Sequence, residues 1–140
     1  CHTMYKFDSD TEKTFAIVLE IDKAVLRWMK PNIKQFDIYY DKNSSRKYEP
    51  DFIVETSKEI YMVETKAARD LKNDDVVNKA RAGIKYCETA TEFNAQNGGK
   101  PWSYALISHD EVRMNSSFAH LISCKIVIEE DANEEAIRLF

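Results

Sequence analysis

The sequence predicts an α/β fold in which a mixed sheet is flanked by helices. Three observations predict it: a capped apolar stretch near the start, three β-branched and aromatic runs in succession, and a long helical stripe followed by one more apolar run.

Ser9-Asp10-Thr11-Glu12 fits a capping box, in which the Ser hydroxyl and the Glu carboxylate satisfy free amides at a helix start. Ile17, Ile21, Ala24 and Trp28 then recur at helical spacing until Pro31 forbids continuation, so a first helix is expected over about 10–29. Lys34 to Tyr40 alternates polar with apolar residues and reads as a strand, ending in the turn-prone Asp41 to Ser45. Pro50 to Glu55 and Ile60 to Lys66 are further strand-forming runs separated by the polar Thr56 to Glu59. A three-strand meander is expected, with the last two strands as a hairpin.

Asn73-Asp74-Asp75 supplies helix-start chemistry. Val76, Val77, Ala80, Ile84, Cys87 and Ala90 mark the stripe of a second helix that runs to about Asn94 and is stopped by Asn97-Gly98-Gly99. Trp102 to Ile107 reads as a buried strand, which the preceding helix can bring parallel to the sheet. Ser117 to Leu121 reads as a helical turn, Lys125 to Ile128 as a fifth strand, and Ala132 to Phe140 as a short helix.

A chain of 140 residues, 44% of them hydrophobic, can bury one core, so a single domain is expected over residues 1–140, with its core at about 9–128. With three glycines and three prolines, the composition shows no linker or disordered tail. No apolar run approaches the roughly 18 residues that span a bilayer, and the opening CHTMYKFDSD lacks the layout of a signal peptide. A cytoplasmic setting is the expectation. Cys1, Cys87 and Cys124 fall outside any CxxC pattern and His2, His109 and His120 miss metal-motif spacing. Neither a disulfide framework nor a zinc cage is therefore expected, and Cys87 and Cys124 read as buried thiols.

The net charge of -4 and pI of about 5.4 provide no global field for a polyanion. Gly98-Gly99 has no phosphate-loop context, which excludes ATP binding by that route. Ser108-His109-Asp110 names the members of a hydrolase triad without a GxSxG elbow.

Asp51 opens one strand of the expected hairpin, and Glu64 and Lys66 lie two apart on the other, so the period of two sends both to one face. Two carboxylates suit a hard Mg²⁺ ion, and an ammonium beside them suits stabilisation of charge on a phosphoryl group. The set fits metal-assisted phosphodiester hydrolysis.

Tyr48-Glu49-Pro50-Asp51-Phe52-Ile53-Val54 and Tyr61-Met62-Val63-Glu64-Thr65-Lys66 resemble the YxPDFIV and YLVETK segments of the C-terminal endonuclease domain in the restriction subunit of type III restriction enzymes. The expected order is similar to the helix, three-strand meander, helix, strand core of the PD-(D/E)XK nucleases, here with an extra strand and a C-terminal helix. The resemblance covers most of residues 9–128. It also takes in an acid on the first helix, a Trp-Lys pair matched by Trp28-Met29-Lys30, and a basic-to-aromatic-Cys segment matched by Lys79 through Tyr86-Cys87. Ala67 stands where the family usually has Gly, and Tyr86 where a Trp is common.

The resemblance implies an endodeoxyribonuclease module acting on double-stranded DNA with Mg²⁺, or Mn²⁺ in its place, and Asp51, Glu64 and Lys66 as its centre. The expected metal set is Asp51, Glu64 and the Thr65 backbone carbonyl, with Glu12 as the helical acid and Glu20 as the alternative. Lys79, Arg81 and Lys85 are expected to touch DNA, with Arg69 and Lys72 as further phosphate contacts. A linked translocase or helicase domain and a modification subunit are the implied partners. The rival functions are a non-catalytic docking or DNA-binding module with a nuclease-like fold, and a repair or recombination nuclease.

Overall fold

The structure is a computed structural model that describes residues 9–32, 35–36, 38–40 and 46–128. Among the described residues it has a mixed α/β architecture in which three helices accompany a four-stranded mixed sheet and a two-stranded ribbon.

Helix α1 spans Asp10–Ile21 and begins as expected, with Ser9 Oγ accepting from the Glu12 amide at 3.2 Å. Its buried face is formed by Phe15, Ala16, Val18 and Leu19, whereas Ile17 and Ile21 are exposed. The helix ends well short of residue 29. Asp22 breaks it with an extended backbone, and its carboxylate accepts from the Ala24 amide at 2.9 Å and the Phe118 amide at 2.8 Å. The expected second half of the helix is instead strand β1, Val25–Met29. The physical reason is that Val25, Trp28 and Met29 satisfy a short apolar pattern of either kind, and pairing with the sheet decides the matter in favour of the strand.

The expected strand over Lys34–Tyr40 is reduced among the described residues to β2, Ile38–Tyr39. It pairs antiparallel with β3, Lys47–Tyr48, in a ribbon separate from the main sheet. Strand β1 therefore takes the place expected for it. The main sheet has the order β1-β4-β5-β6, with β4 at Phe52–Thr56, β5 at Ile60–Lys66 and β6 at Trp102–Ser108. The hairpin of β4 and β5 is present in the register Phe52↔Val63 to Glu55↔Ile60, and β1 lies antiparallel on the far side of β4.

Helix α2, Asp74–Asn97, starts at Asn73, whose side chain accepts from the Asp75 amide. It ends at Gly98, whose positive φ of 73° is the left-handed conformation that favours glycine. It crosses over to bring β6 parallel to β5, in the register Ile60↔Trp102 through Lys66↔Ser108. Helix α3, Phe118–Ser123, matches the expected helical turn.

Both faces of the sheet are covered, as continuous apolar runs such as Phe52-Ile53-Val54 require. One face packs Phe52, Val54, Val63 and Ile107 against Phe15 and Leu19 of α1 and Phe118 and Leu121 of α3. The other packs Ile53 and Met62 against Cys87 of α2, with Ile38 and Tyr48 of the ribbon closing the cluster.

Two smaller expectations fail. Lys125–Ile128 forms no strand; it is tied to β6 by one backbone bond, from the Ile126 amide to the Leu106 carbonyl at 2.8 Å, and Val127 is 82% exposed. Cys124 is only half-buried, because it is the cap residue just past the end of α3, while Cys87 is buried as expected. The expected helix at Ala132–Phe140 and the turn at Asp41–Ser45 lie outside the described residues. Ser108 Oγ accepts from the Asp110 amide and caps a single 3-10 turn, His109–Glu111, which accounts for that motif without a triad. No helix among the described residues is long and apolar enough to cross a membrane.

Helix α2 approaches β6 most closely at Gly83, where a Cβ would lie 2.5 Å from Cε2 of Tyr104. A glycine in a helix interior normally gains about 1 kcal/mol on replacement by alanine. Here that gain is outweighed by overpacking against a half-buried ring held between α2 and β6, a cost of about 1 to 3 kcal/mol. Gly83→Ala is therefore expected to lower the thermal midpoint, and a raised midpoint in a melting experiment would refute the close approach.

Candidate active site

The candidate site forms where the β4–β5 ladder stops. Phe52↔Val63 is the last pair, and continuing that register places Asp51 opposite Glu64. Beyond it, the Asp51 carboxylate replaces a backbone acceptor: Asp51 Oδ2 receives the Thr65 amide at 2.9 Å and the Thr65 hydroxyl at 3.2 Å. In an extended strand, the amide and carbonyl of one residue face the same neighbour, so the Thr65 carbonyl is on the Asp51 side, as the expected metal set requires.

Glu64 points to the face that carries Met62 and is only 5% exposed. Its Oε2 accepts from the Tyr48 hydroxyl at 2.6 Å, and its Oε1 lies 3.5 Å from Lys66 Nζ. The Tyr104 hydroxyl lies 3.4 Å from that of Tyr48. Asp51, Glu64 and Lys66 are thus brought together as the alternation of β5 demands.

Glu12 comes from the opposite face. Its carboxylate does not reach back to complete the capping box; Oε1 instead accepts from Lys30 Nζ at 2.5 Å, with both side chains largely buried. It is close enough for its charge to act on Asp51. Glu20 is not part of the group. It lies eight residues further on, about 12 Å along the helix, is exposed, and accepts from Trp28 Nε1 at 2.7 Å.

Burial dominates the electrostatics. It pushes the Glu64 carboxyl up to about 8; the Asp51 charge adds to the rise, while the Tyr48 hydrogen bond, Lys66 and Lys79 oppose it. Burial likewise raises Asp51 to about 6; the Thr65 amide lowers it, Glu12 raises it, and Lys30 and Lys66 lower it. Burial pulls the Lys66 ammonium down, but Glu64 and Asp51 together more than reverse this and hold it above its ordinary value. Tyr48 and Tyr104 are raised by burial and then by Glu64, so both remain protonated hydroxyls.

The expected basic face on α2 is only partly assembled. Lys79 Nζ lies 3.3 Å from Asp75 and 5.1 Å from the centre of the Tyr40 ring, and its charge is felt at Glu64. Arg81 and Lys85 are exposed. At about 100° per residue, Arg81 is turned about 200° from Lys79 and points elsewhere. Arg69, in the 3-10 turn Ala68–Asp70, and Lys72 are exposed beyond β5.

No family model, no curated protein and no solved structure matches the chain.

The residues that sequence reasoning left without a role are Lys30, Tyr48, Tyr104 and the Thr65 hydroxyl. Tyr48 and Lys30 stand in the quoted motifs, so their positions were visible. Their contacts were not, because they depend on how the ribbon and α1 close over the sheet.

These shifts have a consequence for stability. A carboxyl that is harder to ionise in the folded chain favours the folded state while protonated, so its contribution is lost as pH rises through the folded value. The window runs from the ordinary 3.8 and 4.5 to about 6 for Asp51 and about 8 for Glu64. Because a tenfold change in proton affinity is worth about 1.4 kcal/mol, the metal-free chain should lose stability on the order of a few kcal/mol between about pH 5 and about pH 8. Glu64→Gln should remove most of the decline above about pH 6. Melting curves in chelator check this, and a midpoint that climbs over the same interval would contradict it.

Proposed function

We propose that the chain is a Mg²⁺-dependent endodeoxyribonuclease module of the PD-(D/E)XK kind, the cutting part of a type III restriction enzyme. The observation that carries the reading is the meeting of Asp51, Glu64 and Lys66 at the open end of the β4–β5 hairpin, with Glu12 reaching the same point from α1. The order α1, β1, β4, β5, α2, β6 supports it, since it is similar to the core of those nucleases once the β2–β3 ribbon is set aside as an insertion.

The donor set fits the ion. Asp51, Glu64 and the Thr65 carbonyl are hard oxygens, and two carboxylates held at this burial gain most from a nearby cation. When bound there, Mg²⁺ would polarise a phosphoryl oxygen and lower the pKa of a water molecule. Tyr48 fixes the orientation of the Glu64 carboxylate, and Thr65 fixes that of Asp51. Lys66 holds its positive charge beside them, where it can stabilise the negative charge that grows on a phosphoryl group. Lys30 neutralises Glu12 and leaves it in place as a further acid. Lys79 is the best placed phosphate contact.

With a net charge of -4, grip and sequence readout on DNA fall to the linked translocase and the modification subunit, and the setting is cytoplasmic. The chain alone is therefore expected to bind duplex DNA weakly, with affinity falling steeply as salt rises. Tight, salt-insensitive binding in a fluorescence titration would show that the partners are not needed.

The chemistry is tested in the full assembly by plasmid nicking with Mg²⁺ or Mn²⁺. Asp51→Ala and Glu64→Ala should abolish cleavage, whereas Lys66→Ala should slow it by roughly 10² to 10³. ATP hydrolysis by the linked translocase should persist in all three. Unimpaired nicking by either carboxylate variant would falsify the assignment.

A further inference from the structure

A second group of metal-ligating side chains stands apart from the carboxylates of the candidate active site. Glu111, at the end of the 3-10 turn that follows β6, meets His120 and Cys124 from α3 and its cap; one ligand atom from each lies within 4.8 Å of the others. His120 and Cys124 are four apart, so one helical turn stacks them on the same side. Cys124 Sγ lies 3.6 Å from His120 Nε2. Around a tetrahedral ion with metal–sulfur and metal–nitrogen bonds of about 2.3 and 2.0 Å, those two atoms would be about 3.5 Å apart. The pair already has that spacing.

The supports are rigid. Phe118 and Leu121 anchor α3 in the core, and Val112, beside Glu111, packs on the same cluster. The Ser117 hydroxyl accepts from the His120 amide, and the Cys124 amide donates to the His120 carbonyl. Ser116 Oγ donates to the Glu111 carbonyl and accepts from the Arg113 amide, which closes the loop between the turn and α3. All three side chains are at least partly open to solvent, so an ion has a path to them.

We propose that Glu111, His120 and Cys124 form a binding site for a borderline-soft divalent transition metal of the Zn²⁺ class, with a fourth tetrahedral position left to water. A thiolate and an imidazole beside one carboxylate favour such an ion over Mg²⁺, which takes oxygen donors. The site needs neither the nuclease reading nor its residues. Its structural effect is to fasten the turn after β6 to the end of α3.

The probe is Co²⁺, titrated into the reduced chain with Mg²⁺ in excess so that the hard carboxylates do not compete. A thiolate-to-cobalt absorption band should grow to saturation at one equivalent and disappear on addition of Zn²⁺. Cys124→Ser should abolish the band, while Cys87→Ala should keep it. His120→Ala and Glu111→Gln should each raise the Kd for Co²⁺ by more than about 100-fold, beyond the roughly 10- to 100-fold that loss of a supporting residue costs. Metal-free melting of these variants should match that of the parent, because the side chains carry no core packing. A folded chain that gives no band, or a band that survives Cys124→Ser, overturns the proposal.

Discussion

The candidate site depends on where the antiparallel ladder of β4 and β5 ends. Up to Phe52↔Val63 the two strands satisfy each other's backbone, and one step further the Asp51 side chain does the work of a carbonyl for Thr65. An acid serving as a backbone acceptor is fixed in place as firmly as the sheet itself. The same alternation that buries Met62 sends Glu64 and Lys66 to its side of β5, so a shift of one residue would scatter the group over both faces. Everything that converges on the spot, including Tyr48 from the ribbon and Glu12 from α1, does so because that end of the hairpin is set.

Holding these carboxylates indoors opposes folding. Each loses hydration, and Asp51 and Glu64 repel one another. The surroundings offset part of this with specific groups: the Thr65 amide for Asp51, the Tyr48 hydroxyl and Lys66 for Glu64, and Lys30 for Glu12. The imbalance that remains is one that a proton or, in the proposed function, a cation of high charge density would relieve.

Much of this was legible in the sequence, for identifiable reasons. Strands β4 and β5 and helix α2 carry unbroken patterns with clear punctuation at Thr56-Ser57-Lys58-Glu59, Asn73 and Gly98. The convergence of Glu64 and Lys66 needed only the period of a strand. Residues 22–29 were misread because Ala24 and Trp28 extend the helical spacing of Ile17 and Ile21, while the break is made by Asp22 bonding to the distant Phe118. The two-residue strands β2 and β3 are too short to leave a pattern. Residues 125–128 have the composition of a strand but find no second bond on β6. His120 and Cys124 were one helical turn apart all along; Glu111, the third member, joins them only through the loop that folds back before α3.

The hairpin also orders events in time. Asp51 and Glu64 are joined by a short local loop, so they meet early, when water still screens them. Tyr104 arrives only with β6, at the far end of a crossover as long as the whole of α2. The desolvation that makes the two acids reluctant to ionise is therefore complete only with that crossover in place beside β5.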